Sequence, residues 1–261
     1  MITKSHHYFL LRYSPWPAVS SLNSFNLLFS LLLLFKYRDS LLLILRVVTL
    51  RASSFFWWFS YRGEFSLEGK DSYSLEKGLK FAIILFISSE VFFFFSFFWS
   101  YFHFFLSPTI ETRIVWPPTG IESFDPLRVP LINTLILMRS GISITISHHY
   151  LIRGQKIKCM LNLALTVVLG AIFSILQLIE YNRAFFSIGD STFGTTFFML
   201  TGFHGIHVLI GSIFLTSVLY RQSKIVSRKR NCLRFELSSW YWHFVDVVWI
   251  FLYFILYYLN Y

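Results

Sequence analysis

The sequence predicts an all-α protein that crosses a membrane seven times. Of its 261 residues, 55% are hydrophobic, 21% are aromatic and only 14% are charged, whereas charged residues make up about 25% of an average soluble domain. The apolar residues are gathered into runs long enough for helices that cross a hydrocarbon layer of about 30 Å, which takes about 20 residues. The Lys and Arg residues fall between these runs with a strong bias to one side. Together these observations indicate a polytopic membrane protein.

The predicted spans follow one another along the whole chain. The apolar runs cover about 16–35, 40–58, 78–106, 129–152, 159–181, 191–220 and 237–259. The first two are the least apolar, because Asn23 and Asn26 dilute one and Arg46 and Arg51 interrupt the other. We expect a single transmembrane domain over 1–261, with helices one and two at about 16–58 and helices three to seven at about 78–259.

The basic residues predict how the chain is oriented. With the N-terminus inside, the inner loops hold most of the 23 Lys and Arg residues. The outer loops then hold only Lys36, Arg38, Arg113, Arg128 and Arg183. This is the positive-inside pattern, and an odd number of spans puts the C-terminus outside. The net charge of +10 therefore reflects the orientation of the chain in the membrane and contact with anionic lipid, and it does not indicate nucleic-acid binding.

The third span contains one acid near its midpoint, in the run KFAIILFISSEVFFFFSFFWSYFHFFLSP. An ionised, unpaired carboxylate at that depth costs several kcal/mol. We therefore expect Glu90 to face the bundle interior and to be protonated or hydrogen bonded. Two roles stay open for it, a structural hydrogen bond and direct handling of a proton.

The eight histidines and two cysteines show no spacing typical of a metal site. His148 and His149 are adjacent, so on a helix they point about 100° apart. His204 and His207 do share one helical face, for which hydrogen bonding or packing is the more common role. Cys159 and Cys232 are too few and too isolated for a disulfide framework. We predict neither a metal site nor a catalytic residue.

A stripe on the sixth span has the spacing of a single helical face. It is aromatic or apolar over most of its length and ends in a cation: Phe203, His207, Ile210, Phe214, Ser217 and Arg221. An acyl chain beneath a phosphate would fit such a surface. A helix-packing seam that ends in a snorkelling Arg fits it equally well.

Further polar residues lie within or beside the spans. His243 and Asp246 are three apart, which predicts a structural polar pair on the seventh helix. Glu180 and Arg183 have the same spacing, and an ion pair is expected there too. Arg139 is about 15 Å inside the fourth span, too deep to snorkel easily, so we expect a buried acceptor. Glu90, Asp246 and a neighbouring subunit are the candidates.

Four long motifs, in this order, are similar to those of cytochrome c oxidase subunit III: SSEVFFFFSFFWSYFH, WPPTGIESFDP, TGFHGIHVLIG and WYWHFVDVVWIFLY. With SPWP near the start, the resemblance covers nearly the whole chain. It implies a lipid-holding cleft between helices 1–2 and helices 3–7. It also implies lipid contacts at Trp57, Trp58, Glu64, His207, Ile210, Phe214, Arg221 and Lys224. Two positions depart from the family, which usually has His at Asp71 and a small neutral residue at Arg139.

The resemblance also implies a function. Such a subunit is a non-redox accessory core subunit of complex IV in the mitochondrial inner membrane, with its N-terminus in the matrix and its C-terminus in the intermembrane space. It would pack on catalytic subunit I and other complex IV subunits, with a respiratory supercomplex as a further candidate partner, while haem a and copper stay in partner subunits. It would bind phosphatidylglycerol, phosphatidylethanolamine or cardiolipin and support proton uptake. The alternatives are an autonomous transporter or channel, with Glu90 and Arg139 on an ion path, and subunit III of a quinol oxidase.

Overall fold

Helices account for most of the residues that the computed structural model describes. It describes residues 13–38, 40–67, 73–108, 114–224 and 228–261, without the side chains of 61–67, 73–75, 224 and 228–231. The helices are α1 (Trp16–Tyr37), α2 (Ser40–Leu67), α3 (Tyr73–Leu106), α4 (Val129–Ile152), α5 (Lys156–Asn182), α6 (Thr192–Lys224) and α7 (Arg228–Leu252), followed by a π-helical segment over Tyr253–Tyr258. No strand occurs in the described ranges.

Seven of the described helices are long and apolar enough to cross a membrane, which confirms the predicted fold class. Several extend beyond the predicted spans, since α2 continues to Leu67 and α3 begins at Tyr73. Hydropathy detects only the part of a helix that fits the hydrocarbon layer. The backbone hydrogen bonds continue past it into polar sequence.

The chain divides into two compact units, Met1–Leu79 and Lys80–Tyr261. In the first unit, α1 packs on α2 through small and polar side chains. Asn23 donates a hydrogen bond to Ser53 Oγ at 3.1 Å, which explains one Asn in an otherwise apolar span. The ring of Trp16 stacks on that of Phe56, with 5.3 Å between their centroids. Most large apolar side chains of this unit are exposed, Phe25 and Leu41 among them.

The second unit contains the hydrophobic core. Its centre is the indole of Trp242 on α7, which is fully buried and donates a hydrogen bond to Ser140 Oγ on α4 at 2.9 Å. Gly170 on α5 and Gly211 on α6 make room for this ring. A Cβ atom at Gly170 would lie 2.6 Å from Trp242 Cη2, and one at Gly211 would lie 2.9 Å from Cε3. Four helices therefore meet at one aromatic side chain.

The aromatic run of α3 has one buried face and one exposed face. Phe94 and Tyr101 are buried, whereas Phe92 and Trp99 are 73% and 63% exposed. The Tyr101 hydroxyl hydrogen bonds to Asn260 Oδ1 at 2.8 Å. The richness in Phe thus serves both the core and an apolar outer surface suited to lipid.

The described part of the loop between α3 and α4 folds against the bundle. The Trp116 ring packs against Tyr101 and Phe193 with centroid distances of 5.6 Å and 5.7 Å. Its Nε1 donates to Asn260 Oδ1 at 3.0 Å. At the opposite end of this unit, α3 enters it and α7 begins, while α4 and α6 end. We call that the basic end, because Lys80, Arg153, Lys156, Lys158 and Arg221 lie there.

Candidate functional site

Glu90 on α3 forms a hydrogen bond with His207 on α6. The distance between Glu90 Oε2 and His207 Nε2 is 2.9 Å. The two side chains are 21% and 10% exposed. Glu90 is therefore hydrogen bonded, one of the two states expected for it, and its partner lies 117 positions away in sequence.

The other ring nitrogen of His207 limits where the protons can be. Nδ1 is 2.7 Å from the carbonyl oxygen of Phe203, and a carbonyl only accepts, so Nδ1 carries a hydrogen. Nε2 then either accepts from a protonated Glu90 or donates to an ionised one. In both states the pair carries no net charge and holds one transferable proton. That neutrality makes the two side chains tolerable at mid-membrane depth.

Aromatic rings surround this pair. The His207 ring lies 5.1 Å from that of Phe94 and 6.2 Å from that of Phe93, measured between centroids. Tyr241 and Phe244 on α7 pack on it at 6.4 Å each. These rings reduce the access of water, which strengthens the electrostatic contact between Glu90 and His207.

The predicted stripe on α6 divides into two halves. Ile210 and Phe214 are 36% and 40% exposed, as an acyl-chain contact requires. His207 is buried, and both of its ring nitrogens have partners within the chain. Arg221 is partly exposed at the basic end, and Lys224 lies on α6 without a described side chain. The structure thus leaves the part of the stripe toward the basic end open to lipid.

Trp57 and Trp58 lie on α2 in the first unit, 39% and 64% exposed. Glu64 is on the same helix, and its side chain is outside the described set. Asp71 lies outside the described residues as well. The lipid contact predicted for these positions stays a prediction.

An apolar groove that the sequence analysis missed runs along α5 and α6 at the basic end. Its volume is about 490 Å³, and its lining consists of Ile157, Met160, Leu161, Ala164, Thr216, Leu219, Tyr220 and Ser223. Lys156 Nζ donates to the Ser223 carbonyl at 3.4 Å beside it. The sequence shows that these positions of α5 are apolar, but it does not show that they lie beside α6.

One of the two predicted i,i+3 pairs has the expected contact. His243 Nδ1 lies 3.8 Å from Asp246 Oδ2, and this carboxylate packs so close to α4 that a Cβ at Gly141 would be 2.7 Å from it. The prediction of an ion pair between Glu180 and Arg183 was wrong. Glu180 is buried at only 2% exposure, whereas Arg183 lies exposed beyond the end of α5 at Asn182.

Arg139 lies exposed on α4. None of the ion pairs found among the described residues includes it. Glu90 is engaged by His207 and Asp246 faces His243, so neither is its partner in the described chain. The same helical face carries Ile132, Leu135, Ile142 and Ile146, which are exposed as well.

Comparison with known proteins decides the family. The sequence model described as "Cytochrome c oxidase subunit III" matches residues 6–261. The chain belongs to the cytochrome c oxidase subunit III family. It is 43% identical over 253 residues to cytochrome c oxidase subunit 3 of Dugong dugon, covering 97% of each chain. The corresponding proteins of Pisaster ochraceus and Aedes aegypti are each 44% identical, over 98% and 97% of this chain.

Membership in the cytochrome c oxidase subunit III family confirms the resemblance seen in the motifs. The match spans both compact units, so the division at Leu79 lies within one family unit. The Glu90–His207 pair is formed by two of the four motifs, SSEV and GFHGIHV. The site is thus built from the segments that carry the family likeness.

Proposed function

We propose that this chain is a non-redox accessory core subunit of cytochrome c oxidase. The family match over residues 6–261 carries this conclusion. The seven apolar helices agree with a subunit embedded in the membrane. Haem a and copper would be held by partner subunits, where electrons are transferred.

We infer a mitochondrial inner-membrane location with the N-terminus in the matrix. The basic end would face the matrix, because Lys and Arg gather on that side of the predicted topology. Lys80, Arg153 and Arg221 would then lie near the anionic headgroups of that leaflet. The C-terminus would face the intermembrane space.

Phospholipid binding is proposed for separate surfaces in each unit. In the first unit, Trp57, Trp58 and Glu64 would contact a lipid near the membrane interface, where Trp is favoured. In the second, Ile210 and Phe214 would contact an acyl chain while Arg221 and Lys224 attract its phosphate. The groove along α5 and α6, with Lys156 beside it, offers a further acyl site. Phosphatidylglycerol, phosphatidylethanolamine and cardiolipin all meet these requirements.

The Glu90–His207 pair is proposed to support proton uptake by the catalytic subunit without transferring electrons. It holds one proton in a neutral pair, so the energetic cost of keeping ionisable groups at this depth is limited. Glu90→Gln should keep electron transfer and alter proton behaviour modestly, because the redox centres lie in other subunits.

The exposed stripe of α4 is proposed to contact another complex IV subunit, with catalytic subunit I as the main candidate. Positions 132, 135, 139, 142 and 146 repeat at intervals of three and four, which is the spacing of a helix-packing seam. Arg139 would meet a carboxylate on that partner. The same exposed surfaces would also be available for contacts within a respiratory supercomplex.

Purification of the native protein tests the assignment. We expect the chain to co-migrate with haem a absorbance through native electrophoresis and gel filtration in mild detergent. Migration as a lone protein would favour the transporter or channel alternative. Association with a haem protein that oxidises quinol and not cytochrome c would favour the quinol oxidase alternative.

A further inference from the structure

Three helices bring four reactive side chains together at the basic end. Lys80 comes from the start of the second unit on α3, His148 from the last turns of α4, and Cys232 and Glu236 from the first turns of α7. All four belong to the unit Lys80–Tyr261. The cluster is separate from the Glu90–His207 pair, and the proposed function uses none of its members as a ligand.

The distances are those of a nearly formed metal site. Glu236 Oε1 is 3.7 Å from Cys232 Sγ and 4.0 Å from His148 Nε2. The three ligand atoms all lie within 4.8 Å of one another. Around a tetrahedral zinc with bonds of about 2.0 to 2.3 Å, ligand atoms are roughly 3.3 to 3.8 Å apart. Small rotations of the three side chains would close the difference.

The environment of His148 supports binding at Nε2. This nitrogen is buried and makes no hydrogen bond to a described group. Its ring stacks on Phe235, with centroids 5.4 Å apart and planes inclined by 9°. The stacking fixes the imidazole with Nε2 directed at Glu236, so little side-chain entropy is lost when a ligand binds.

Lys80 leaves one carboxylate oxygen available. Its Nζ lies 3.0 Å from Glu236 Oε2, whereas the histidine and cysteine face Oε1. It orients the carboxylate from outside the ligand set, as hydrogen-bonded neighbours do in metal sites. The positive charge of Lys80 repels a bound cation, and the negative charges of the Glu236 carboxylate and the Cys232 thiolate offset this repulsion.

We propose that His148, Cys232 and Glu236 bind a divalent cation of the zinc class. One thiolate, one imidazole and one carboxylate form the mixed ligand set that zinc accepts, with a fourth position open to water. Binding forms the metal–sulfur bond and releases the Cys232 proton to solvent, without oxidation or reduction. The bound ion would join the end of α4 to the start of α7.

The sequence alone predicted no metal site, because the histidines show no ligand spacing within single helices and each cysteine is isolated along the chain. The proposed ligands lie on two helices, 84 to 88 positions apart for His148 and its partners on α7. Only the packing of α4 against α7 brings them together.

Alkylation of Cys232 tests the proposal in the intact native complex. N-ethylmaleimide labelling is followed by peptide mass spectrometry with Zn²⁺ or with a chelator present. We expect Zn²⁺ to slow labelling of Cys232 and to leave labelling of Cys159 unchanged. Cys159 is outside the proposed ligand set, and its Sγ is hydrogen bonded to Ser147 and Gln222. A labelling rate independent of Zn²⁺ would overturn the proposal.

Two variants make the test specific. His148→Gln should raise the Zn²⁺ concentration needed for protection by at least about tenfold, since even groups outside the ligand set contribute that much. His149→Gln is the matched control, because this neighbour points away from the cluster, and it should behave as wild type. Equal protection in both variants would exclude His148 as a ligand.

A second measurement covers the case in which His148→Gln fails to assemble. Anomalous X-ray scattering at the zinc edge is recorded from crystals of the wild-type complex equilibrated with Zn²⁺. A peak between His148, Cys232 and Glu236 supports the proposal. Peaks at other places only, meaning an adventitious ion only, would refute it. Both readouts concern these side chains directly, so they do not depend on the assignment to an oxidase.

Discussion

At the scale of single residues, the Glu90–His207 contact places one transferable proton within the apolar part of the chain. The hydrogen bond from His207 Nδ1 to the Phe203 carbonyl fixes which nitrogen faces Glu90. The remaining proton lies either on the carboxyl or on the imidazole. A neutral carboxyl avoids separating charge among the rings of Phe93, Phe94 and Phe244, and this is the state we predict.

A hydrophobic carbodiimide should therefore label Glu90, because it reacts with protonated carboxyls in apolar surroundings. Labelling is measured by peptide mass spectrometry, with the exposed loop acid Glu122 as a reference. His207→Phe should keep Glu90 labelled, since no base remains to take the proton. If only loop acids are labelled in wild type, the prediction is contradicted. In that case, labelling of Glu90 in the His207→Phe variant would show that Glu90 is ionised beside His207 in wild type. No labelling of Glu90 in either protein would show that the reagent cannot reach it.

The loop between α5 and α6 has its own acid-sensitive contact. The Ser187 N–H donates to Asp190 Oδ2 at 2.6 Å, and this bond lowers the pKa of the Asp190 carboxyl from its ordinary 3.8. A lowered folded-state pKa means that the contact stabilises the loop fully above the ordinary value and is lost as pH falls through the folded value. Asp190→Ala should speed hydrogen exchange at Ser187 near neutral pH. The difference from wild type should shrink in acid as the pH falls through the lowered folded-state pKa of Asp190, and a difference that stays unchanged well below that pKa would contradict this account.

At the scale of helices, the packing of Trp242 tests how closely α5, α6 and α7 fit. Gly170→Ala would place a methyl group 2.6 Å from Trp242 Cη2, and such overpacking typically costs about 1 to 3 kcal/mol. We expect a lower thermal midpoint and less assembled complex. Gly202→Ala is the control, because a Cβ there has nothing of this chain within 4 Å and Ala is favoured over Gly in a helix by about 0.5 to 1 kcal/mol. Equal effects of the two changes would refute the tight fit.

The exposed stripe of α4 gives the second prediction at this scale. An Arg about 15 Å deep that faced lipid would be costly, by between ~3 and ~17 kcal/mol. Arg139→Glu should therefore reduce the assembled complex by repelling the acid we propose on the neighbouring subunit. Arg128→Glu is the charge-matched control, since the Arg128 side chain is 82% exposed in a loop, and it should assemble nearly normally. A structure of the complex in which Arg139 faces bulk lipid with no acceptor within about 4 Å would refute the partner.

At the scale of the whole molecule, the exposed apolar surfaces and the basic end predict retained phospholipid. Arg221→Ala should lower the lipid that co-purifies and shorten functional lifetime more than it lowers initial turnover, because the redox centres are elsewhere. Arg153→Ala is the matched control, an exposed cation at the same end but off the α6 stripe. Lipid content is measured by mass spectrometry after purification. An unchanged lipid content in the Arg221→Ala variant would refute the proposed contact between Arg221 and a lipid phosphate.

The sequence by itself determined the fold class, the number of spans and the family. Hydropathy depends on local composition, and a span of about 20 apolar residues is recognisable without knowing its neighbours. The four motifs are also contiguous segments, so the family could be recognised from them. Helix ends were predicted less well, as at Leu67 and Tyr73, because helical hydrogen bonding continues beyond the apolar part.

The tertiary structure decided which side chains meet. The partner of Glu90 is 117 positions away, and the sequence offered no reason to choose His207 over other polar residues at similar depth. Spacing within one helix brought His243 and Asp246 to 3.8 Å but failed for Glu180 and Arg183, because α5 ends at Asn182 and Glu180 faces the interior. The cluster of His148, Cys232 and Glu236 likewise needs α4 beside α7. The orientation of a side chain toward its neighbours is a property of the packed bundle, since helix periodicity defines a face but not what covers it.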